Sequence, residues 1–546
     1  MRRFIIISVQ ILTICFLIIP SPSLAASEFR SNFISTYTIP KSDQVSVSHL
    51  ITLTNNLSHI YATSYTIATS GENLEHITAS DESGEIKTTT SIQNGVTTIN
   101  MVIDRPSIGK DQVKSIKLNY TTTDVVERIG DTLTINIPRL AKANEAESYT
   151  RIVKIEGLGN QSALIYPKET KIESEGDYQI YTFTAHQNDS LSLLFGESVT
   201  YEIDLTYELK NKELSAIDSE LALPPDTGYQ RIILDSISPK PSNISLDDNG
   251  NWLARYTIEP QEKTIVQAKL FATVYPRPTL YDPSSKILQK THNSKYWDTN
   301  STAVTSLAQK LKTPENMYHY LTTNFTYNYG LINADSKRQG VLAALSSPTN
   351  VLCTEFTDTF ISLARSEKIP SREINGYGYT KNTSLQPQST TSDILHAWPE
   401  YYNQNSQNWI AIDPTWGNTT GGIDYLNKLD FSHIAFVRHG SEDSYPIPPG
   451  AYKTNPEDKH VMIKVAANSK EGIPKYEIKK SGGKQLIVNT GNVALINQVV
   501  KVDGVSTTVD YLPPFGTQEI VQPERSSILS KIQNMFKKLA TWLDIR

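Results

Sequence analysis

Cysteine is the scarcest reactive residue in this chain of 546 residues, which contains only Cys15 and Cys353. Cys15 lies in a leading segment that we expect to be removed, so no disulfide can form within the remaining chain. A basic surplus is also missing, because 51 lysine and arginine residues face 57 aspartate and glutamate residues. The net charge of -6 provides no electrostatic footprint for nucleic acid. We therefore exclude a disulfide-rich scaffold and predict no nucleic-acid partner.

Long apolar runs are confined to the first segment. Arg2 and Arg3 precede an apolar stretch over 4–19, and Ala25 ends a cleavage pattern of small residues. This order is typical of a secretory signal peptide over 1–25, and the apolar stretch is short for a bilayer span. We predict an exported protein that is extracellular or associated with the cell envelope. An exported free thiol risks oxidation, a risk that a purely structural cysteine need not run.

Alternation of apolar and polar residues dominates from residue 26 to about 279. Between Thr88 and Ile103, Asn94-Gly95 separates two alternating runs, which is a strong hairpin signal. Turn residues recur between further runs and helical periodicity is scarce, which favours β-sandwiches. A run near residue 200 repeats the shape of an early strand. We therefore predict a large sandwich over 26–197 and a smaller one over 198–279.

The pattern changes after the proline-rich linker Tyr275-Pro276-Arg277-Pro278. Residues 297–311 and 314–323 show helical periodicity, and Thr313 suits the N-cap of the second helix. We place a separate α+β domain over 280–445. A stretch over 380–393 is rich in serine, threonine and glutamine, and it predicts a mobile loop beside the entrance to a site.

Cys353 is placed where a nucleophilic thiol is useful. Apolar residues follow it at helical spacing, with Glu355 and Asp358 in the first turns, which predicts a helix that begins at the cysteine. A thiol there lies at the positive end of the helix dipole and near free backbone N–H groups. Both effects favour the thiolate, and the N–H groups could also hold an oxyanion.

A histidine and an aspartate follow on two predicted strands. His396 belongs to an alternating run over 394–402, and Asp413 ends a second run over 409–413 that a proline stops. An antiparallel pair of such strands would set the carboxylate beside the imidazole. Asp413 would then orient His396, which takes the proton from Cys353.

These motifs together resemble a known family. The order of a cysteine-led helix, IPSR, NGY, HAW-x-E and W-x-x-x-DPTWG is similar to that of the transglutaminase-like superfamily. The resemblance covers roughly 285–438 and implies a papain-like fold, shared by transglutaminases, peptide N-glycanases and many microbial cysteine hydrolases. It implies that Cys353 is the nucleophile, His396 the general base and acid, and Asp413 the orienting acid. For the family's second oxyanion donor we name Asn350.

Each of these residues also has an ordinary structural explanation. A lone cysteine is usually a small buried hydrophobe, a strand histidine can be a satisfied core residue, and an aspartate before proline can form an Asx-turn. The joint occurrence of Cys353, His396 and Asp413 within the motifs favours catalysis. Trp398 and Trp416 are expected as walls of the cleft or as core residues.

Signals for β-structure return after the predicted catalytic domain. Alternating runs between 461 and 511 predict a compact C-terminal β-sandwich over 446–524. The last segment, 525–546, differs because apolar residues recur at helical spacing over 528–543, with lysines elsewhere on the wheel. This pattern predicts an amphipathic cationic helix that either docks on the preceding domain or lies on anionic lipid or a partner.

The sequence therefore predicts a multidomain, mainly β protein with one α+β catalytic domain. The expected activity is acyl transfer from a peptide or side-chain amide through a cysteine thioester, as in a protease, an amidase or a protein-glutamine acyltransferase. Hydrolysis is favoured over cross-linking because water is always present. We predict a peptide or protein substrate and no cofactor or metal, and we leave calcium dependence and oligomeric state open. The alternative is a catalytically silent cell-surface binding or scaffold protein.

Overall fold

The computed structural model describes residues 28–93, 95–140, 145–158, 163–184, 189–284, 293–332, 337–387, 393, 395–468, 470–482, 484–502, 505–520 and Met535. The predicted signal peptide over 1–25 lies outside the described residues, as does the helix predicted over 525–546 apart from Met535. The chain is mostly β and multidomain, as its alternating pattern predicts. Within the described ranges, no helix combines the length and apolarity needed to cross a bilayer.

The first β unit packs three sheets around one apolar core. Its strands are Phe29–Ile39 (β1), Val45–Asn55 (β2), Ser64–Ser70 (β3), Leu74–Asp81 (β4), Gly84–Ile86 (β5), Thr88–Gln93 (β6), Val96–Val102 (β7), Val113–Thr122 (β8), Val126–Ile129 (β9), Thr132–Ile137 (β10), Ser148–Glu156 (β11), Ala163–Tyr166 (β12), Lys171–Glu175 (β13), Tyr178–Phe183 (β14) and Leu191–Phe195 (β15). The sheets have the orders β13-β14-β11-β1-β2-β8-β4-β5, β3-β7-β6 and β12-β15-β10-β9. Antiparallel pairing of β6 with β7 confirms the predicted hairpin.

The second β unit is a smaller pair of sheets. Its strands are Val199–Lys210 (β16), Ile217–Leu223 (β17), Gln230–Ser238 (β18), Asn243–Leu246 (β19), Trp252–Ile258 (β20) and Lys263–Val274 (β21). One sheet contains β18-β21-β16 and the other has the order β17-β20-β19. Every other side chain of β16 is buried, because the strand turns one face to the core and the other outward.

The α+β domain places helices against a four-stranded antiparallel sheet. Its helices are Thr302–Leu311 (α1), Pro314–Asn324 (α2), Val341–Ser346 (α3), Cys353–Ser366 (α4) and Pro414–Thr419 (α5), with a 3-10 turn at Tyr329–Leu331. Its strands are Ser371–Gly378 (β22), His396–Asn403 (β23), Asn408–Ala411 (β24) and His433–His439 (β25). The sheet order is β24-β23-β22-β25, and α4 buries its apolar face against this sheet.

The first helix of this domain begins later than the sequence pattern predicts. Residues 297–301 are not helical, because Asp298 Oδ1 accepts from the backbone of Asn300 and Ser301, and Ser301 then caps α1. Trp297 is instead buried, and its indole Nε1 donates to Asp358 at 2.8 Å. The second helix agrees with the prediction, since Thr313 caps α2.

One strand assigned by sequence to the C-terminal sandwich belongs elsewhere. Val461–Val465 (β26) pairs with β16 and extends the sheet of the second β unit, so the prediction of this strand's domain is wrong. Its alternate residues Val461, Ile463 and Val465 pack on that unit's core, and this burial explains the pairing. The remaining strands are Tyr476–Ser481 (β27), Lys484–Asn489 (β28), Leu495–Val502 (β29), Val505–Leu512 (β30) and Thr517–Glu519 (β31).

Polar contacts from both β units position the α+β domain. Gln230 of β18 exchanges two hydrogen bonds with the backbone of Ala435 in β25, at 2.8 and 2.9 Å. Ser190 of the first unit donates to the backbone oxygen of Gly422. Asp124 of the same unit accepts from Asn382 of the α+β domain at 3.3 Å. The β units therefore brace the sheet edge and the loop that surround the site described below.

Candidate active site

Cys353 occupies the first position of α4, as its sequence predicts. The side chain is half-buried. The carboxylate of Glu355 accepts from the backbone of Leu352 at 2.9 Å and of Gln339 at 2.8 Å, which holds the chain at the entry to the helix. The N–H of Glu355 donates to the Leu352 oxygen at 3.1 Å. The N–H groups of Cys353 and Thr354 precede the first helical bond, so they present positive charge near the sulfur.

His396 begins β23, and Asp413 follows β24 on the neighbouring antiparallel strand. The structure brings the two side chains together, with His396 Nε2 donating to Asp413 Oδ2 at 2.8 Å. Both side chains are fully buried. The strand pairing thus produces the contact between imidazole and carboxylate that a catalytic triad requires.

The second ring nitrogen of His396 faces the nucleophile. Nδ1 is buried and has no nitrogen or oxygen partner in the described part of the chain. Since Asp413 occupies Nε2, Nδ1 is the ring nitrogen left for the Cys353 sulfur, and interaction with Cys353 is one of the causes that raise the pKa of His396. Burial lowers the pKa of His396, but Asp413 and then Cys353 outweigh it and raise the pKa to about 9. The imidazolium is therefore the stable form at neutral pH.

Asp413 is fixed by the helix that follows it. Its Oδ1 caps α5 by accepting from the backbone of Thr415 at 2.8 Å and of Trp416 at 3.1 Å. Burial acts to raise the pKa of Asp413, but His396 and then His433 hold the pKa well below its usual range. The Asp-Pro-Thr-Trp motif is thus a helix cap whose second carboxylate oxygen is directed at the histidine.

His433 is a functional candidate that sequence reasoning missed. Its Nε2 lies 3.2 Å from Asp413 Oδ2, and its Nδ1 lies 2.8 Å from Asp430 Oδ1. A carboxylate can only accept, so both ring nitrogens must donate and the ring is an imidazolium. Burial lowers the pKa of His433, but Asp430 and Asp413 raise it to about 9. The strand pattern around His433 contains no signal for this contact.

Tyr327 is a second neighbour that the sequence did not identify. The backbone of Tyr327 forms an isolated parallel β-bridge with Val351, which precedes Cys353 by two residues. Burial and the adjacent Cys353 raise the pKa of Tyr327, so its hydroxyl keeps its proton and can donate. The signal that could have found it is the alternation of aromatic and polar residues in Phe325-Thr326-Tyr327, which is typical of a short strand.

Three further residues were candidates from the sequence, namely Trp398, Trp416 and Asn350. The two indoles pack behind the His396 ring, and Asn350 lies on the surface. Trp416 is buried and stacks on His396 with ring centres 5.0 Å apart, and Trp398 is buried 5.6 Å from the same ring. These indoles enclose the imidazole as core residues. Asn350 is exposed, and its Oδ1 accepts from Asn328 at 3.0 Å.

Residues 299–414 match the family model described as the transglutaminase-like superfamily. The chain carries a transglutaminase-like domain. The match contains Cys353, His396 and Asp413, and it ends before Asp430 and His433. A search of curated proteins returned no significant match.

Several solved structures are similar to parts of the chain. A candidate cysteine protease from Cytophaga hutchinsonii is 17% identical with a TM-score of 0.34, and the alignment covers 50% of this chain and 93% of that one. A candidate protease from Parabacteroides distasonis is 11% identical with a TM-score of 0.23, covering 75% and 73%. An M1 zinc metallopeptidase mutant from Deinococcus radiodurans is 12% identical with a TM-score of 0.22, and the alignment covers 36% of this chain and 47% of that one. At these scores the likeness says nothing about substrate.

The transglutaminase-like domain also presents a cluster with the composition of a metal site. Ligand atoms of His396, Asp413 and His433 lie within 4.8 Å of one another. Hydrogen bonds already engage these atoms, because both imidazoles donate to the same carboxylate oxygen. The arrangement therefore fits a hydrogen-bonded chain from Asp430 through His433 and Asp413 to His396 better than it fits a coordination sphere.

Proposed function

We propose that this protein is a cysteine acyl-transfer enzyme that acts on peptide or side-chain amides through a thioester. The observation that carries the proposal is the 2.8 Å bond from His396 Nε2 to Asp413 Oδ2, which leaves Nδ1 of the same buried ring for the Cys353 sulfur. The reactive form of a cysteine is the thiolate, and His396 is the group that accepts the proton of Cys353 in the proposed reaction.

The first half of the reaction forms the thioester. The Cys353 thiolate attacks the amide carbon, a C–S bond forms, and the carbonyl electron pair moves to oxygen. We assign the stabilisation of that oxyanion to the N–H groups at the start of α4 and to the Tyr327 hydroxyl. The His396 imidazolium gives its proton to the amide nitrogen, the C–N bond breaks, and the amine departs.

The second half releases the acyl group. Neutral His396 takes a proton from water, the resulting hydroxide attacks the thioester carbon, and the C–S bond breaks to yield a carboxylic acid. An amine can replace water and yield a new amide. We propose hydrolysis as the main outcome, because water is always available and a peptide or protein is the substrate class that an exported enzyme meets.

We further propose that the protein is exported and that its C-terminal segment contacts anionic lipid or a partner. The leader pattern over 1–25 supports export to the cell envelope or the exterior, and the cationic pattern over 528–543 supports contact with anionic lipid or a partner. The chemistry written above uses only side chains of this chain, so it requires no cofactor. The β units support a role in placing the catalytic domain on an extended substrate.

The deciding experiment combines a peptide library that contains glutamine with a labelled amine, followed by mass analysis. Cleaved backbone or conversion of glutamine to glutamate indicates hydrolysis, and incorporated label indicates transfer. The Cys353→Ala variant is the control for both. If the native protein changes none of the peptides, acyl transfer is rejected.

The rival proposal is a silent binding or scaffold protein, favoured by the sandwich units that make up most of the described chain. Alkylation with iodoacetamide at about pH 6 separates the two functions. Rapid labelling of Cys353 supports a thiolate paired with imidazolium. Labelling only above about pH 8, as for an ordinary thiol, favours the scaffold.

A further inference from the structure

A cavity of about 430 Å³ lies where the first β unit meets the loop over 380–387 of the transglutaminase-like domain. The β unit contributes Glu72, Asp124 and Glu127 to its lining, and the loop contributes Lys381 and Gln386. Ligand sites occur preferentially at such domain interfaces, and this volume is within their usual range. Cys353, His396 and Asp413 are not among its lining residues.

The charges of the lining are unbalanced. Four carboxylates, of Asp43, Glu72, Asp124 and Glu127, face two cations, Arg128 and Lys381. Arg128 pairs with Asp43 at 3.4 Å. Asp124 is satisfied by the backbone N–H groups of Glu72 and Asn73, both at 2.8 Å. These donors are neutral, so beside the Arg128–Asp43 pair the lining holds three carboxyl groups, of Glu72, Asp124 and Glu127, against the single cation Lys381.

Glu127 is the carboxyl with an unused acceptor. Its Oε1 is buried without a hydrogen-bond partner among the described residues. Burial and the nearby Asp430 raise the pKa of Glu127 to about 7, although Lys381 acts in the opposite direction. A buried acceptor without a partner is unfavourable, and an added cation would both neutralise and hydrogen-bond it.

The loop that closes the cavity also borders the active site. Ser384 accepts at its backbone oxygen from the Tyr329 hydroxyl at 2.6 Å, and the Tyr329 ring packs 5.1 Å from Tyr327. Gln386 donates to the Tyr425 hydroxyl at 3.2 Å, and the Tyr425 ring packs on Trp416. A group held in the cavity would thus lie one loop away from the nucleophile.

We propose that this cavity is a subsite for a cationic group, an ammonium or guanidinium carried by the polypeptide substrate, with Glu127 as its principal counter-charge. That the bound polypeptide is a substrate rests on the proposed function, but binding of the cationic group in the cavity does not require turnover. The subsite would favour polypeptides with a lysine or arginine at a distance from the reacting amide.

The test measures binding without chemistry, in the full-length Cys353→Ala protein. Calorimetric titration compares N-acetyl-lysine amide with N-acetyl-norleucine amide, which has nearly the same shape and no charge. We expect the lysine derivative to bind at least about tenfold more tightly, and Glu127→Gln to remove that preference. Lys381→Met should strengthen the binding, because it removes the competing ammonium. Glu85→Gln, an exposed carboxylate of β5 outside the lining, is the matched control.

Equal binding of the two amides, no binding of the lysine derivative, or an unchanged preference in Glu127→Gln would each overturn the subsite. Lys381 is exposed, so its variant provides a readout even if Glu127→Gln alters the fold. Loss of lysine binding leaves the triad chemistry untouched. Failure of acyl transfer in the native protein leaves this binding result equally untouched.

Discussion

Two buried histidines of this molecule have opposite charge states. His49 in the first β unit hydrogen-bonds to Ser35 Oγ at 2.6 Å and to the Tyr120 hydroxyl at 3.1 Å, and burial lowers its pKa to about 4. His396 is equally buried, yet its pKa is raised to about 9. The difference is the partner, because only His396 faces a carboxylate. Burial alone therefore does not determine whether a histidine is charged.

The same comparison explains why a short contact is not a catalytic site. Ser35 and His49 form a pair of residue types that hydrolases use, but both are fully buried in the sandwich core and no acid orients the ring. Cys353 instead combines partial exposure, a helix start and a histidine that an aspartate orients. Solvent access to the cysteine and an acid that orients the histidine therefore distinguish a candidate active site from a hydrogen-bonded pair in the core.

The largest expected effect is that of Cys353→Ala, which should abolish turnover and leave the unfolding temperature nearly unchanged. The substitution removes the only atom that bonds to the acyl group. Ser362→Ala on the same helix is the control, since its hydroxyl only donates to the backbone of Asp358. Amide hydrolysis that persists in Cys353→Ala would refute the assignment.

The second effect tests the carboxylate that separates the two histidines. Asp413→Asn should lower kcat by about a hundredfold or more, because an amide cannot stabilise the imidazolium. Asp424→Asn serves as the comparison, since Asp424 is a buried aspartate of the same domain that caps a turn. A similar loss in both variants would mean that the effect is structural.

The third effect concerns His433, whose charge separates two carboxylates. His433→Gln should lower the free energy of unfolding by about 3 kcal/mol, because it leaves buried carboxylates unpaired. It should also move the alkaline limit of activity upward, since Asp413 then interacts with His396 alone. His439→Gln, which loses a bond to Glu373 at 2.9 Å, is expected to destabilise without moving that limit. An unmoved limit in His433→Gln contradicts an influence on the triad.

The fourth effect follows from the raised pKa of His396. The imidazolium is present below about 9 and is lost as the pH rises through that value. Activity should therefore persist from neutral pH to about 9 and decline above it. Values of kcat/KM, obtained from initial rates across this pH range, test the expectation. A decline already near about 6.5, the ordinary histidine value, would show that Asp413 does not hold the proton on the ring.

The smallest effect is on the stability of the first β unit. His49 has a folded-state pKa of about 4, so the unfolded chain binds a proton first and stability is lost as the pH falls from about 6.5. The loss should approach roughly 3 kcal/mol near pH 4. Hydrogen exchange in β1, β2 and β8 can measure it, and His49→Gln should remove this part of the pH dependence. An identical slope in both proteins would contradict the assignment.

Local patterns predicted the parts of the site that depend on neighbours in sequence. The helix at Cys353 follows from apolar periodicity, and the strand at His396 follows from alternation, because each pattern reflects which side chains one element must bury. The family motifs further identified the transglutaminase-like domain. The start of α1 was missed, since a polar turn around Asp298 competes with the helix.

Other features depend on contacts between elements that are distant in sequence. The position of β26 in the second unit's sheet and the contact of His433 with Asp413 arise from packing. No spacing rule links these partners, because each strand face can be buried by several alternative neighbours.

The sequence by itself predicted many of the elements and named Cys353, His396 and Asp413 as candidates, because periodicity, capping and motifs act over a few residues. The tertiary structure alone decided which histidine is charged and which is neutral. Both rings leave water on folding, and only the arrival of a carboxylate from another strand offsets the cost of keeping a proton there.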